Sequence, residues 1–129
     1  MKNLLLIFTL LFSTVFFPSP SYAEWTKVGE NINATFYVDF ERSRKHSGFI
    51  YYWKLIDVFK PNSSGDLSIK AYDQVDCKMF RYKYLSGMTF SKPMGAGNAI
   101  RVDNRLGEDW RYPPPNSANE ALLKSVCSR

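Results

Sequence analysis

Cysteine and histidine are scarce in this sequence. Its 129 residues contain two cysteines, Cys77 and Cys127, and one histidine, His46. A zinc site normally takes three or four cysteine, histidine or carboxylate ligands. The composition therefore argues against a zinc site, and we expect neither a metal nor another cofactor.

Catalytic signatures are also missing. Asp39 and Glu41 lie near His46 in the sequence, but a catalytic histidine needs an orienting acid or a nucleophile within hydrogen-bond reach. The glycines of "KPMGAGN" lack the strand-to-helix context and the lysine placement of a phosphate-binding loop. We interpret His46 as an exposed loop residue, predict no catalytic residues and do not expect an enzyme.

Only one long apolar run is present, from Leu4 to Phe17. Lys2 precedes it, two prolines and small residues follow it, and it is shorter than the roughly 20 residues that span a membrane. This arrangement predicts a secretory signal peptide over residues 1–23, with cleavage between Ala23 and Glu24.

The expected exported chain, residues 24–129, is long enough to bury one hydrophobic core, and none of its segments is apolar for long enough to span a membrane. We expect a single domain located in the periplasm, at the cell surface or outside the cell. Loss of Lys2 lowers the formal net charge from +5 to +4. This charge allows weak attraction to a polyanion, and no nucleic-acid partner is expected.

Export places both cysteines in an oxidising compartment. With no third thiol to compete, Cys77 and Cys127 have one intramolecular pairing. We therefore predict a disulfide, which closes a loop of about 50 residues and stabilises the fold by about 4 kcal/mol on a chain-entropy estimate.

Most of the exported chain has the alternation and the β-branched and aromatic residues of strands. In "FIYYWKLIDVF", Phe49, Tyr51 and Trp53 share one face, while Ile50 and Tyr52 lie on the other, as in a central strand covered on both sides. Residues 86–109 are rich in glycine and are interpreted as loops. The predicted strands are 26–30, 34–40, 49–59, 67–76 and 78–85, with a short edge strand near 99–103.

The C-terminal segment "WRYPPPNSANEALLKSVC" has the signals of a capped helix. Ser117 followed by Glu120 forms a capping-box pattern, so the helix is expected to begin near Ala118. Its apolar stripe ends at Cys127, which would tie it to the sheet. The fold prediction is α+β: an antiparallel sheet of about five or six strands, with a C-terminal helix packed on it and held by one disulfide.

Two basic segments are the candidate binding surface. The first, "ERSRKHSG" over residues 41–48, is interpreted as a hairpin tip, and the second, "KMFRYKY", as a strand. If the helix docks on that strand, Met79 meets its apolar stripe and the basic stems pack at its margin. The alternative is that these side chains only provide solvated cover. The tentative binding residues are Arg42, Arg44, Lys45, Arg81 and Lys83.

Three segments together resemble a known family. They are "FIYYWKLIDVFKPN", "GDLSIKAYDQVDCKMFRYKYLSGMTFSKPMGAG" and the "WRYPPPNSANEALLKSVC" tail. In this order they are similar to the surface-adhesin protein E-like domain family of bacterial exported proteins. The resemblance implies a compact antiparallel sheet with a disulfide-tied C-terminal helix, and binding of host extracellular-matrix and plasma proteins.

Three functions remain as hypotheses. The first is an exported noncatalytic binding module for an extracellular or cell-envelope protein, or for a polyanion. The second is an envelope assembly protein that acts as a homodimer, because one short helix leaves the second apolar face of the sheet uncovered. The third is an enzyme of unfamiliar type, for which the residues offer no support.

Overall fold

The computed structural model describes residues 24–104 and 109–129. The predicted signal peptide, 1–23, and part of the predicted loop region, 105–108, lie outside the described residues. No helix in the described ranges is long and apolar enough to cross a membrane. The elements in these ranges are β1 (Thr26–Glu30), β2 (Ala34–His46), β3 (Phe49–Val58), β4 (Ser68–Asp76), β5 (Arg81–Phe90), β6 (Ala99–Asp103) and α1 (Ala118–Cys127).

The strands form one antiparallel sheet, in which each strand pairs with its neighbours in the sequence. Antiparallel neighbours need only short connections, and polar side chains shape these connections. The Asn31 side chain accepts backbone N–H bonds from Asn33 and Ala34, at 2.8 and 2.9 Å, between β1 and β2. The predicted α+β fold is confirmed, including its sheet of about five or six strands and its C-terminal helix.

A two-residue turn at Ser47 and Gly48 joins β2 to β3. Both residues have positive φ angles, 51° and 82°, as in the hairpin turns whose twist matches that of the strands. Pairing of His46 with Phe49 closes the hairpin. The predicted tip over residues 41–48 was therefore wrong except at its end, and His46 is a strand residue that nevertheless remains exposed.

The turn between β4 and β5 ends at Phe80, whose φ is 51°. The Asp76 carboxylate accepts a hydrogen bond from the Met79 backbone N–H at 3.2 Å and stabilises this turn. The predicted strand over 78–85 was wrong at its start, because the turn occupies those residues. It also stopped too early, since β5 continues to Phe90.

Helix α1 packs on one face of the sheet, and the hydrophobic core lies between them. Leu122, Leu123 and Val126 of the helix are buried, as the predicted stripe requires. A ten-residue helix is marginal alone, so this packing stabilises it, at about 1.5–3 kcal/mol for each large apolar side chain. The sheet side of the core contains Ala34, Phe36, Val38, Tyr52, Val75 and Tyr82.

Both ends of α1 are fixed as predicted. Ser117 Oγ accepts a hydrogen bond from the Glu120 N–H at 3.1 Å, and the Glu120 carboxylate accepts one from the Asn116 N–H at 3.3 Å. At the other end, the predicted disulfide links Cys127 to Cys77.

Tyr82, rather than Met79, faces the helix near its first turn. The Tyr82 hydroxyl accepts a hydrogen bond from Asn119 Nδ2 at 2.9 Å. Since side chains alternate along a strand, Arg81 and Lys83 lie on the opposite face, and Met79 is exposed in the turn. The predicted packing of Met79, Arg81 and Lys83 against the helix was therefore wrong. The left-handed residue at the end of the turn breaks the alternation on which that prediction depended.

A loop over residues 91–97 covers one end of the sheet face opposite α1. Ser68 Oγ donates to the Lys92 carbonyl at 2.6 Å and accepts from the Gly95 N–H at 2.8 Å. Gly95 has a φ of 65°, and a Cβ there would overlap Lys70 Cε. The "KPMGAG" segment therefore has a structural role in covering the sheet.

Candidate functional site

The sheet face opposite α1 is only partly covered, and we call its uncovered part the open face. The strand register places its side chains in rows across the sheet. In one row, Arg44 of β2 pairs with Tyr51 of β3. Tyr51 pairs with Gln74 of β4, and Gln74 pairs with Lys83 of β5. The open face is defined here by Arg44, His46, Phe49, Tyr51, Trp53, Tyr72, Arg81, Lys83 and Trp110.

Aromatic rings form the centre of the open face. Tyr72 lies between Trp53, with ring centroids 4.9 Å apart, and Tyr51, at 6.2 Å. All three side chains are half-buried. Aromatic pairs of this kind are stabilising and present large, rigid contact areas, and Trp and Tyr are among the residues that dominate binding energy at protein interfaces.

Trp110 joins the open face from the C-terminal segment. The next residue, Arg111, exchanges two backbone hydrogen bonds with Tyr82, at 2.8 and 2.9 Å. This bridge fixes the chain beside β5 and places the Trp110 ring 5.5 Å from that of Phe49. Sequence reasoning missed this residue. The only signal was its position shortly before three prolines, which carry the chain from one face of the sheet to the other.

Two of the predicted binding residues flank the Trp110 ring. Arg81 Cζ lies 4.4 Å and Lys83 Nζ 4.7 Å from the ring centroid, within the range of a cation–π interaction. Arg81 Nε also lies 2.9 Å from Asp76 Oδ2, and this hydrogen bond raises the pKa of Arg81. Both cations therefore contact the Trp110 ring.

An open cavity of about 420 Å³, which we call the tyrosine pocket, crosses the open face from β2 to β5. Among the described residues, its lining is basic and aromatic and includes no carboxylate. The lining residues are Arg44, Lys45, His46, Tyr51, Tyr72 and Leu85.

Arg42 lies in a different place from the other predicted residues of β2. An irregularity in the β2–β3 register between Asp39 and Arg44 separates them, and Arg42 Nε lies 3.4 Å from Asp39 Oδ2. Both line a smaller cavity of about 150 Å³ with Lys70. Burial lowers the pKa of Lys70, and the charge of Arg42 lowers it further. The remaining lining residues are Trp25, Trp53 and Met88.

The structure therefore brings four of the five tentative binding residues to one end of the sheet. Arg44 and Lys45 line the tyrosine pocket, and Arg81 and Lys83 stand on the far side of the aromatic rows, beside Trp110. Three strand spacings separate Arg44 from Lys83, or roughly 14 Å. Their role in binding stays a prediction.

The part of the chain that the structure describes contains no group of side chains arranged to bind a metal ion. Across residues 24–104 and 109–129, no three histidine, cysteine, aspartate or glutamate side chains are grouped as metal ligands. The two cysteines are joined to each other.

Several solved structures are similar to this fold, and they are of Haemophilus influenzae protein E. Crystal form II has a TM-score of 0.64 at 12% identity, covering 86% of this chain and 92% of that chain. A second structure has a TM-score of 0.65 at 12% identity, with coverages of 86% and 89%. That from a non-typeable strain has a TM-score of 0.63 at 12% identity, with coverages of 86% and 80%. At 12% sequence identity, this similarity shows a shared fold only.

The sequence itself matches one family. Comparison with curated protein sequences finds no significant match. The family described as surface-adhesin protein E matches residues 25–128, which span both the disulfide-tied helix and the open face. The resemblance noted from the sequence is confirmed, and this chain belongs to the surface-adhesin protein E family.

Proposed function

We propose that this protein is an exported, noncatalytic binding module that recognises an extracellular or cell-envelope protein through its open face. The main support for this proposal is that one uncovered sheet face combines packed aromatic rings with a basic margin. Membership of a surface-adhesin family supports an exported or surface-exposed protein. In this proposal the working form is residues 24–129, after removal of the signal peptide.

The chemistry of the open face indicates what kind of surface it fits. The aromatic rings provide rigid contact area that a partner's apolar side chains would desolvate. Arg44 and Lys83 place positive charge on two sides of them, which favours an acidic partner and accelerates encounter with it. The expected partner surface is apolar at its centre and acidic at its margin.

Affinity capture tests the proposal with a charge-matched control. Arg44→Gln and Lys83→Gln together remove two positive charges from the open face, whereas Lys78→Gln and Lys124→Gln remove two from elsewhere. Bait proteins carrying each set would be exposed to extracts of the native compartment and of host matrix. We expect the open-face variant to capture at least tenfold less partner than the unaltered protein, and the control variant to capture as much.

Two results would contradict the proposal. One is the absence of any enriched partner with the unaltered protein. The other is an equal loss of capture in both variants, because it would show a response to net charge rather than to a particular surface. Thermal melting of each variant establishes that it is folded.

A homodimer is a second candidate, because several aromatic rings of the open face stay half-buried and no second layer of the described residues covers them. A stable interface would bury about 800 Å² on each copy, which would cover most of these rings. Light scattering across a hundredfold range of concentration tests it. A mass that doubles with concentration, and does not double after Tyr51→Arg, supports the dimer, whereas a constant monomer mass rejects it.

A further inference from the structure

We propose that the tyrosine pocket binds a single acidic sugar residue, carrying a carboxylate, through Arg44 and the rings of Tyr51 and Tyr72. This goes beyond recognition of a protein surface, because it assigns a ligand class to one cavity. The inference depends on the proposed function only in using the same basic end of β2.

The size of the pocket fits a small ring-shaped ligand. Its volume of about 420 Å³ falls within the roughly 300–1,000 Å³ typical of small-molecule sites. A protein partner would reach it with only one or two groups. A monosaccharide unit at the end of a glycan chain would lie against its walls and leave the rest of the chain in solvent.

The charge of the pocket specifies an anion. Arg44 pairs with Tyr51 across β2 and β3, so its side chain lies on this face, and the described residues that line the pocket include no carboxylate. The guanidinium of Arg44 has the planar fork that matches a carboxylate with two parallel hydrogen bonds. An acidic ligand would therefore place its carboxylate at Arg44.

The walls of the pocket distinguish a sugar from a simple inorganic anion. The Tyr51 and Tyr72 rings have centroids 6.2 Å apart and are tilted by 30°, with Leu85 completing the apolar lining. Ring faces pack against the C–H faces of a sugar, while phenolic hydroxyls can donate to or accept from its hydroxyl groups. A phosphate or sulfate ion would contact the basic margin and leave these walls unused.

The position of the rings is fixed before a ligand arrives. Tyr72 is stacked on Trp53 at 4.9 Å, and Arg44 pairs directly with Tyr51 across β2 and β3. Side chains that are already positioned lose less conformational entropy on binding. Because the basic groups themselves are exposed, we expect weak affinity for a single sugar. Display of several such sugars on one glycan would strengthen the overall binding.

Titration of the isotope-labelled exported protein, followed by its amide NMR signals, tests the inference. The acidic probes are sialyllactose, as found on host glycans, and N-acetylmuramic acid, as found in bacterial cell walls. Their neutral counterparts are lactose and N-acetylglucosamine, and sodium sulfate at equal ionic strength tests for anion binding alone. We expect saturable shifts around residues 44–46, 51 and 72 with at least one acidic sugar, at least tenfold weaker for its neutral counterpart. The acidic probe that binds identifies the source.

Variants separate the contributions of charge and walls. Arg44→Gln and Tyr51→Leu should each weaken binding of the acidic sugar about fivefold to tenfold, whereas Lys78→Gln, which removes a charge from the β4–β5 turn, should leave it unchanged. The inference is overturned if neither acidic sugar shifts these signals, if sulfate reproduces the same shifts, or if Tyr51→Leu binds as well as the unaltered protein while retaining its fold.

The two proposals can fail separately, since the titration contains no protein partner. Loss of sugar binding with retained capture of a protein overturns only the assignment of the pocket. Saturable sugar binding with no captured protein supports the pocket and contradicts recognition of a protein surface.

Discussion

Lys54 and Asp73 form an ion pair beneath the first turn of α1. Lys54 Nζ lies 2.7 Å from Asp73 Oδ2, and both side chains are buried. The pKa of Asp73 is raised, because the effect of burial outweighs the opposing effect of the Lys54 charge. Lys54 Nζ also donates to Asn119 Oδ1 at 3.4 Å, so the pair connects the sheet to the helix. Since desolvation offsets much of the attraction in such a pair, its presence alone is weak evidence for stability.

Removing one member of this pair should be costly. Lys54→Met leaves a buried carboxylate without its cation, and we expect the free energy of unfolding to fall by about 3–5 kcal/mol. Adding Asp73→Asn removes the uncompensated charge and should recover part of the loss. Urea unfolding of the single and double variants measures both effects. A double variant no more stable than Lys54→Met would contradict this view of the pair.

Asp76 makes stability depend on acidity. Burial opposes ionisation of this carboxyl, but the Met79 backbone N–H and the Arg81 guanidinium outweigh it and lower its pKa. A carboxyl whose pKa is lower in the folded state stabilises the fold above its unfolded pKa, and this contribution is lost as pH falls through the folded value.

The expected result is a difference between two pH profiles. The melting temperature of the unaltered protein should fall below about pH 4, the ordinary range for aspartate, more steeply than that of Asp76→Asn. At neutral pH the variant should melt at a lower temperature, because the charged contacts of the turn are lost. Parallel profiles from pH 2 to 7 would show that Asp76 does not contribute to acid sensitivity.

The elements differ in how far the sequence could predict them. The beginning of α1 was predictable because capping depends on residues three apart, Ser117 and Glu120, and the end was marked by the second cysteine. The turns were less predictable. Ser47 and Gly48 are a turn signal, but the polar residues before them hid how far β2 extends. Phe80 adopts left-handed backbone, which this residue type seldom does, so no local pattern marked where β5 began.

The disulfide should matter most for the element at its end. Replacing Cys77 and Cys127 by serine removes the constraint on the unfolded chain, and a loss of about 2–4 kcal/mol is expected. The effect should be concentrated in α1, which is too short to be stable alone. Hydrogen exchange measures this. Replacing the cysteines should accelerate exchange over residues 118–127 more than in β3, whereas the control Ser128→Ala should not. Unchanged protection of the helix would contradict the role of the bond.

At the scale of the whole molecule, one feature of the site lay beyond sequence reasoning. The basic residues were identifiable as candidates from composition, and the aromatic parity of β3 was predicted correctly. The approach of Trp110 to Phe49 depends on a backbone bridge between Arg111 and Tyr82, formed across a wide sequence separation. Such a contact has no local periodicity from which it could be predicted.

Export makes a prediction about the chain as a whole. If the first 23 residues are a signal peptide, the protein recovered from the envelope or the medium should begin at Glu24. Intact-mass measurement with N-terminal sequencing checks this, and Ala23→Leu should impair cleavage, because a large side chain replaces the small one next to the site. Recovery of the full-length chain from those fractions would contradict the prediction.

Site-specific photo-cross-linking can show whether partners meet the open face or the helix face. A photoreactive amino acid would replace His46, which pairs with Phe49 on the open face and lines the tyrosine pocket, or Lys124, on the exposed side of α1, in otherwise unaltered protein. After irradiation in the native compartment or with host matrix, we expect a discrete partner adduct from position 46 and none from position 124. An adduct from position 124 alone would contradict it.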